Sequence, residues 1–379
     1  MVKNIFLVII AISLSVFSAF GQTSLDTAIQ RIMDENQVVG LSVAVVKKDN
    51  IIFSKAYGYK DLENKTRLTS SDLFRIASIS KSFSATAIMQ LVEQKKIALE
   101  QDVSELIGFK VRNPKYPDKI ITLQLLLTHL SSINDSQGYF SLDYINPDKN
   151  PNWAKCYNDY EPGKNWQYCN LNFNMIGTII ERVSGQRFDQ YIRHHILEPL
   201  GLYGGYAVDS LDGSRLAKIY EYNLDSGKYI VSSGAYNPRS EEIASYTMGY
   251  STPVFSPTGG MKINAIDLAT YMIMHKNKGK FKEGQIISKK SANLMQTPAS
   301  SFEPYGFALE QSDKLIPGKL MTGHTGSAYG LFSAMFFDPK EDFGLVIITN
   351  GTRGGGYVEG FQSTIRKTAN TLYQFVISK

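Results

Sequence analysis

Residues 75–100 read RIASISKSFSATAIMQLVEQKKIALE, and this stretch organises the interpretation of the whole chain. It begins with small and polar residues and continues as a long, mostly apolar helical pattern. Ser78 and Lys81 lie in the first turn of the predicted helix, and residues three apart share one helix face. The spacing therefore predicts an ammonium group beside a hydroxyl, at the start of a buried helix.

This pair suggests a nucleophile and its base. A serine hydroxyl attacks a carbonyl well only when a neighbouring base takes its proton. Lys81 can be that base if burial lowers its pKa, because an apolar environment disfavours the charged amine. The first N–H groups of a helix have no intrahelical partner, so the amide of Ser78 can also donate to an oxyanion. The alternative is a helix-capping serine with a solvated lysine.

A second segment, EPGKNWQYCNLNFNMIGTIIERVSG at 161–185, supplies partners for this pair. Tyr168 and Asn170 lie on a short turn before an amphipathic helix. The phenol of Tyr168 is predicted to move a proton, with its pKa lowered by the nearby lysine cation. Asn170 is expected to hold Lys81 or a substrate amide in place.

A third segment, LMTGHTGSAYGLFSAMFF at 320–337, leads into a C-terminal hairpin. His324 is expected to face a substrate carboxylate, with a charge that varies near neutral pH. Thr325 and Gly326 follow it, and a glycine allows a substrate backbone to approach a strand closely. The N–H of Ser327 is the predicted second oxyanion donor.

The two ends of the chain are predicted to contain the same elements, one hairpin and one helix each. Strand patterns separated by turns predict hairpins at 40–59 and 330–350, and helical patterns occur at 25–35 and 361–378. The predicted fold class is α/β: a discontinuous antiparallel sheet flanked by terminal helices, with an inserted all-helical lobe.

The predicted boundaries give one α/β lobe from residues 22–77 and 245–379, and a mainly helical lobe from 78–244. A cleft between two lobes is the expected place for a site.

These segments resemble the serine β-lactamase and penicillin-binding-protein superfamily, with a β-lactamase/transpeptidase-like fold. The nearest branch contains class C β-lactamases, D-alanyl-D-alanine carboxypeptidases, D-aminopeptidases and related esterases. The motifs follow the order of that family: Ser78-x-x-Lys81, Tyr168-Cys169-Asn170 and His324-Thr325-Gly326. ITLQLLLTHLSSI at 121–133 and SPTGGMKINAIDLATYM at 256–272 also resemble family segments. His324, where many relatives have lysine, is more typical of some DD-peptidases and D-aminopeptidases than of β-lactamases.

The resemblance implies an exported serine hydrolase that acts through an acyl-enzyme on Ser78. A peptidase or amidase on D-amino-acid peptides is the favoured activity, with no cofactor. An esterase or weak β-lactamase is the alternative within the fold. A binder of cell-wall peptides that does not turn over is the alternative outside enzymes.

Residues 1–21, MVKNIFLVIIAISLSVFSAFG, have the pattern of a secretory signal peptide, with cleavage expected after Gly21. The alternative is a retained membrane anchor, for which the apolar stretch is short. A periplasmic or secreted protein without stable membrane insertion is therefore expected. In such a compartment Cys156 and Cys169 are either bridged or two free buried thiols.

The composition is that of an ordinary globular protein, 43% hydrophobic and 20% charged. The net charge of +5 is scattered along the chain, which disfavours a nucleic-acid partner and leaves a small molecule or peptide as the expected one. Adjacent His194 and His195 diverge by about 100° on a helix, so they are poor metal co-ligands and no metal is predicted. The oligomeric state is not predicted.

Overall fold

The computed structural model describes residues 24–378, and the predicted signal peptide lies outside this range. The helices are α1 (24–35), α2 (Ser80–Glu93), α3 (Val103–Ile107), α4 (Leu123–Leu127), α5 (Asn170–Ser184), α6 (Phe188–Ile192), α7 (Glu198–Leu200), α8 (Ser240–Ala244), α9 (Ala265–Lys276), α10 (Lys289–Gln296) and α11 (Ser363–Leu372). The strands are β1 (Gly40–Lys47), β2 (Asn50–Asp61), β3 (Thr66–Arg67), β4 (Phe74–Arg75), β5 (Gly204–Gly205), β6 (Tyr220–Asn223), β7 (Lys228–Val231), β8 (Lys262–Ile263), β9 (Lys280–Phe281), β10 (Gly284–Gln285), β11 (Glu310–Ser312), β12 (Met321–Ala328), β13 (Leu331–Asp338), β14 (Phe343–Thr349), β15 (Tyr357–Val358) and β16 (Phe361–Gln362).

The main sheet joins the two ends of the chain. Its seven strands follow the order β11-β12-β13-β14-β1-β2-β3. Strand β1 pairs antiparallel with β14, from Leu41 opposite Thr349 to Lys47 opposite Phe343. The N-terminal and C-terminal hairpins therefore share one sheet, which confirms the predicted discontinuous antiparallel sheet.

Both faces of this sheet are covered, and β1 shows why. Successive side chains of a strand point to opposite faces. Val43 and Val45 pack in the cluster that contains the apolar side chains of α1 and α11. Ala44 and Val46 face the other way, into the cluster that contains α9. The terminal helices thus flank the sheet on one side, as predicted, and α9 separates its other side from the helical part of the molecule.

Helix α2 is the central element of that helical part. It packs against α5 and α6, and every residue from Ser80 to Met89 is buried. A helix that is buried on all its faces provides an environment of low polarity for whatever it carries. The segment between the two hairpins consists of helices joined by loops and short strands, such as the β6–β7 hairpin, whose turn ends in Gly227 at φ 65°.

Within residues 24–378, no helix is both long enough and apolar enough to span a bilayer.

Candidate active site

Ser78 lies in a short 3-10 turn, Ala77–Ile79, that joins β4 to α2. Ala77 has φ 47°, a left-handed conformation that costs energy in any residue with a Cβ. Strained residues of this kind concentrate at functional sites. The turn leaves the Ser78 side chain half-buried, at the wall of a cavity of about 690 Å³.

Lys81 follows one turn later and is fully buried. Its Nζ lies 3.1 Å from Ser78 Oγ, and it also donates to Asn170 Oδ1 at 2.9 Å and to the Thr258 carbonyl at 3.0 Å. Burial lowers the pKa of Lys81 to about 7, against a weaker opposing effect of Asp135. Near neutral pH a substantial fraction of this amine is therefore unprotonated and can accept the serine proton.

Tyr168 is half-buried at the cavity wall, and its ring centre lies 4.7 Å from the Lys81 Nζ. The expectation that the lysine cation lowers the pKa of Tyr168 is wrong. Burial raises this pKa well above its usual value, and the hydrogen bond to Ser78 offsets only part of the effect. Tyr168 is consequently a neutral phenol near pH 7, suited to donate a proton rather than to accept one.

Two residues of the site were missed from the sequence, Asp135 and Thr258. The Asp135 carboxylate accepts from the backbone N–H of Asn170 at 2.8 Å, from its Nδ2 at 3.0 Å and from the Leu171 N–H at 2.9 Å. It therefore satisfies free N–H groups at the start of α5 and orients Asn170. Thr258 Oγ1 donates to Asn170 Oδ1 at 2.8 Å. The family-like segment at 256–272 was the one signal in the sequence that pointed towards Thr258.

Gly326 explains how β12 comes to lie beside Ser78. A Cβ at this position would overlap the Ile76 carbonyl oxygen, and Ala77 lies just beyond it. Ser333, opposite Gly326 in the sheet, donates to the same Ile76 carbonyl at 2.9 Å. Only a glycine allows this strand to approach the turn that carries Ser78 so closely.

The neighbouring Ser327 has its N–H turned away from β13. Ser327 lies opposite Phe332 in the β12–β13 pair. The N–H of Phe332 donates at 3.0 Å to Thr349 Oγ1 on β14, which is the neighbour of β13 on its other edge. In an antiparallel ladder such a pair exchanges no backbone hydrogen bonds, so the N–H of Ser327 points away from β13. Ser327 also lines the cavity with Ser78, which leaves both amides on the wall of one site.

His324 is buried and neutral, so the expectation of a charge that varies near neutral pH is wrong. Burial and the Lys81 charge lower its pKa to about 3. Its Nδ1 contacts the Thr325 carbonyl and must carry the ring proton, since a carbonyl can only accept. Its Nε2 then accepts from the Tyr305 hydroxyl at 3.1 Å. The ring is held by hydrogen bonds and presents no positive charge to the cavity.

The cavity has two ends on either side of Ser78. Glu303, Tyr305, Glu310 and His324 line one of them, which we call the histidine end. Arg75, Tyr139, Ser256 and Tyr329 line the other, which we call the arginine end. Strand β12 runs between them, and a strand of this length covers roughly 14 Å from His324 to Ala328.

The loop after α4 packs against Tyr168, which lines the cavity. His129 is buried with φ 59°, and its ring packs against Tyr168 with ring centres 4.4 Å apart. Its Nδ1 accepts from the Cys169 N–H at 3.2 Å. Ser132 also adopts a left-handed conformation, φ 63°, and accepts from Asn113 at 3.0 Å.

Cys156 and Cys169 are not joined by a disulfide, so of the two alternatives the structure shows the free thiols. Both thiols are free and buried. The Cys156 thiol donates to the Tyr144 carbonyl at 3.3 Å, and the Cys169 thiol donates to Asp135 Oδ1 at 3.2 Å. Each sulfur is thus directed to its own oxygen acceptor.

Comparisons with known proteins identify the family and the fold. The sequence matches the family described as Beta-lactamase over residues 25–365. Protein flp of Staphylococcus aureus strain MRSA252 is 24% identical over 338 residues, which cover 87% of this chain and 63% of flp. The chain therefore spans less than two thirds of the length of this curated relative.

Two solved structures share the fold. An octameric penicillin-binding protein homologue from Pyrococcus abyssi is 26% identical with a TM-score of 0.71, over 93% of this chain and 77% of that one. A D-amino acid amidase from Ochrobactrum anthropi SV3 is 22% identical with a TM-score of 0.70, over 93% of this chain and 99% of that one. The family match extends from α1 to α11 and includes all three motifs that meet around Ser78, and so the chain belongs to the β-lactamase family.

Proposed function

We propose that this protein is a serine hydrolase that forms an acyl-enzyme on Ser78. The observation that carries the proposal is the 3.1 Å contact between Lys81 Nζ and Ser78 Oγ, with the pKa of the buried lysine lowered to about 7. Nucleophilic catalysis by serine requires an adjacent base that is unprotonated near neutral pH and contacts the hydroxyl.

In the proposed reaction, the unprotonated Lys81 takes the proton of Ser78 as Oγ attacks the substrate carbonyl. The amides of Ser78 and Ser327 donate to the oxygen that becomes negative. Tyr168 gives its proton to the departing amine or alcohol, and the protonated Lys81 then restores the proton of the phenol. Water repeats the sequence on the acyl-enzyme, releasing the acid and regenerating Ser78.

The histidine end favours a leaving group without a carboxylate. Tyr168 packs against His324 and Tyr305, with ring centres 6.2 and 6.5 Å apart, so the group that it protonates leaves at this end. His324 is neutral there, and Glu303 and Glu310 line the same wall. A carboxylate on the leaving group would meet no basic side chain on this wall and two acidic ones, of which Glu310 has its pKa raised to about 7 by burial. An amidase releasing ammonia or a simple amine is therefore favoured over a carboxypeptidase.

The proposed substrates are D-amino-acid amides. This choice is based on the family motifs and on the amidase among the similar structures. It is tested by comparing D-alanine amide with D-alanyl-D-alanine, with rates given per bond cleaved because the amide releases one molecule of D-alanine and the dipeptide two. We expect faster release from the amide, and no release from either by Ser78→Ala. Faster release from the dipeptide would contradict the proposed leaving-group preference.

Intact-protein mass spectrometry separates turnover from simple capture. The protein is mixed with a fluorescent penicillin and, separately, with an activated ester. A hydrolase gives an adduct on Ser78 that disappears with time. An adduct that forms stoichiometrically and persists with every substrate would instead identify a binder of cell-wall peptides.

A further inference from the structure

A buried arginine faces the substrate cavity from the strand before the nucleophile. Arg75 ends β4, three residues ahead of Ser78, and its side chain lines the cavity although only 6% of the residue is exposed. An arginine keeps its charge in proteins, so burial cannot neutralise it as it can a lysine.

The charge of Arg75 has no acidic partner. Its Nε donates to the Gly259 carbonyl at 2.8 Å, and its two terminal nitrogens make long contacts of 3.4 Å with Ala235 O and Ser256 Oγ. The guanidinium also stacks on the Tyr329 ring at 5.0 Å. Within residues 24–378 it takes part in no ion pair. All its partners are thus neutral oxygens or a ring face.

The cross-strand neighbour of Arg75 does not compensate its charge. Lys262 is the residue opposite Arg75 in the β4–β8 pair, and it is also buried. Its Nζ donates to the Tyr206 carbonyl at 2.6 Å and not to a carboxylate. Burial is the main cause that lowers the pKa of Lys262, and Arg75 and Arg239 lower it further while Asp209 opposes them. Lys262 therefore supplies no negative charge, and the Arg75 guanidinium remains without an acidic partner.

The position of Arg75 along the cavity identifies which part of a substrate it would meet. Tyr168 lies at the histidine end, so the leaving group lies there as well. The acyl portion of the substrate must then extend from Ser78 towards the arginine end. This step rests on the proposed function, because it takes Tyr168 as the proton donor to the leaving group.

We propose that Arg75 binds a carboxylate at the far end of the substrate's acyl portion, so that the preferred substrates are derivatives of acids with a second, anionic group. The guanidinium fork matches a carboxylate in shape and charge. Tyr139 and Tyr329 at the same end provide ring faces for the chain that links the carboxylate to the reacting carbonyl.

The test uses two chromogenic esters with acyl chains of equal length. The mono-p-nitrophenyl ester of adipic acid ends in a carboxylate, and p-nitrophenyl hexanoate ends in a methyl group. We expect the wild-type kcat/KM to be higher for the adipate ester by about tenfold or more, the effect of one charge-assisted hydrogen-bonded pair. Equal values, or a preference for hexanoate, would overturn the proposal without any variant being made.

The variants then assign the preference to Arg75. In Arg75→Gln the ratio of the two kcat/KM values should fall to near one, and Arg75→Lys should retain part of it. A matched control is Arg67→Gln, since Arg67 also stacks on a tyrosine, Tyr59, but is exposed and does not line the cavity. If Arg75→Gln lowers both substrates equally, Arg75 is only a structural residue and the proposal is wrong.

The ester assay distinguishes an error in the proposed hydrolase activity from an error in the proposed carboxylate site. If neither ester is hydrolysed and no adduct forms on Ser78, the proposed hydrolase is wrong. If both esters are hydrolysed at the same rate, the hydrolase stands and the carboxylate site does not. Should Arg75→Gln fail to fold, inhibition of wild-type hexanoate hydrolysis by free adipate, compared with hexanamide, measures the same preference.

Discussion

The carboxylate of Asp135 is joined to Asn170 by two hydrogen bonds, 2.8 Å from the backbone nitrogen and 3.0 Å from Nδ2. Asn170 in turn accepts from Lys81 at 2.9 Å. Asp135 therefore positions the proposed base, Lys81, without contacting it. We expect Asp135→Ala to lower kcat on the order of tenfold, as for residues that orient a catalytic group. It should also cost about 1 kcal/mol of stability, because N–H groups at the start of α5 lose their acceptor.

The matched control for this change is Asp102→Ala. Asp102 accepts from the Ser104 N–H at 2.9 Å at the start of α3 and does not line the cavity. Thermal unfolding should show a loss of stability in both variants, and steady-state kinetics should show a loss of kcat in the Asp135 variant alone. Equal kinetics in the two variants would contradict a positioning role for Asp135.

Ser78→Ala should abolish hydrolysis and leave the fold intact. The side chain is half-buried in a cavity wall, and its loss creates little empty volume. Mass spectrometry with an activated ester should show no adduct, while the thermal unfolding midpoint stays close to that of the wild type. Residual hydrolysis at the wild-type rate would eliminate Ser78 as the nucleophile.

The pH dependence of kcat/KM should report Lys81. Its pKa is lowered to about 7, and only the unprotonated amine accepts the serine proton, so the rate should rise with pH and reach half its plateau near 7. His324 has a pKa of about 3 and should not contribute between pH 5 and 8, whereas burial raises the pKa of Glu310 in the same cavity to about 7, so the part of the rise that depends on Lys81 is the part that its substitution removes.

In Lys81→Met this rise should disappear together with most of the rate, a loss of about 10²–10⁴-fold. The measurement is a series of initial rates across this pH range for both proteins. A wild-type rate that is independent of pH would show that Lys81 is not the base.

Gly326→Ala should damage the site and destabilise the protein. The new Cβ would overlap the Ile76 carbonyl oxygen and push β12 away from the nucleophile turn. Overpacking of this kind costs about 1–3 kcal/mol. The matched control is Gly213→Ala, because a Cβ there meets no atom within 4 Å. Urea unfolding and kcat should change in the first variant and not in the second.

The two cysteines should titrate as thiols. Cys156 and Cys169 are free, and burial raises the pKa of each, so neither should react while the protein is folded. A thiol reagent added in denaturant should detect two groups, and a reductant should leave the unfolding midpoint unchanged. Detection of no thiol in denaturant would demonstrate a bridge.

The fold was largely predictable because strand and helix periodicities record which faces are buried. The nearly continuous apolar run of β1 follows from burial of both faces of the sheet, by the terminal helices on one side and α9 on the other. The spacing of Ser78 and Lys81 likewise predicts their contact, since residues three apart on a helix share a face. Asp135 could not be found in this way, because its partner Asn170 lies 35 positions away and only the folded chain joins them.

The charge states of the site residues also depend on the tertiary structure and not on the sequence alone. The sequence alone determined the three motifs, the α/β class and the presence of an alcohol, an amine and a phenol for chemistry. Only the tertiary structure decided that the lysine pKa falls to about 7, that the tyrosine stays protonated and that His324 is neutral. Burial and neighbouring charges set a pKa, and both arise from segments far apart in the chain that fold against one another.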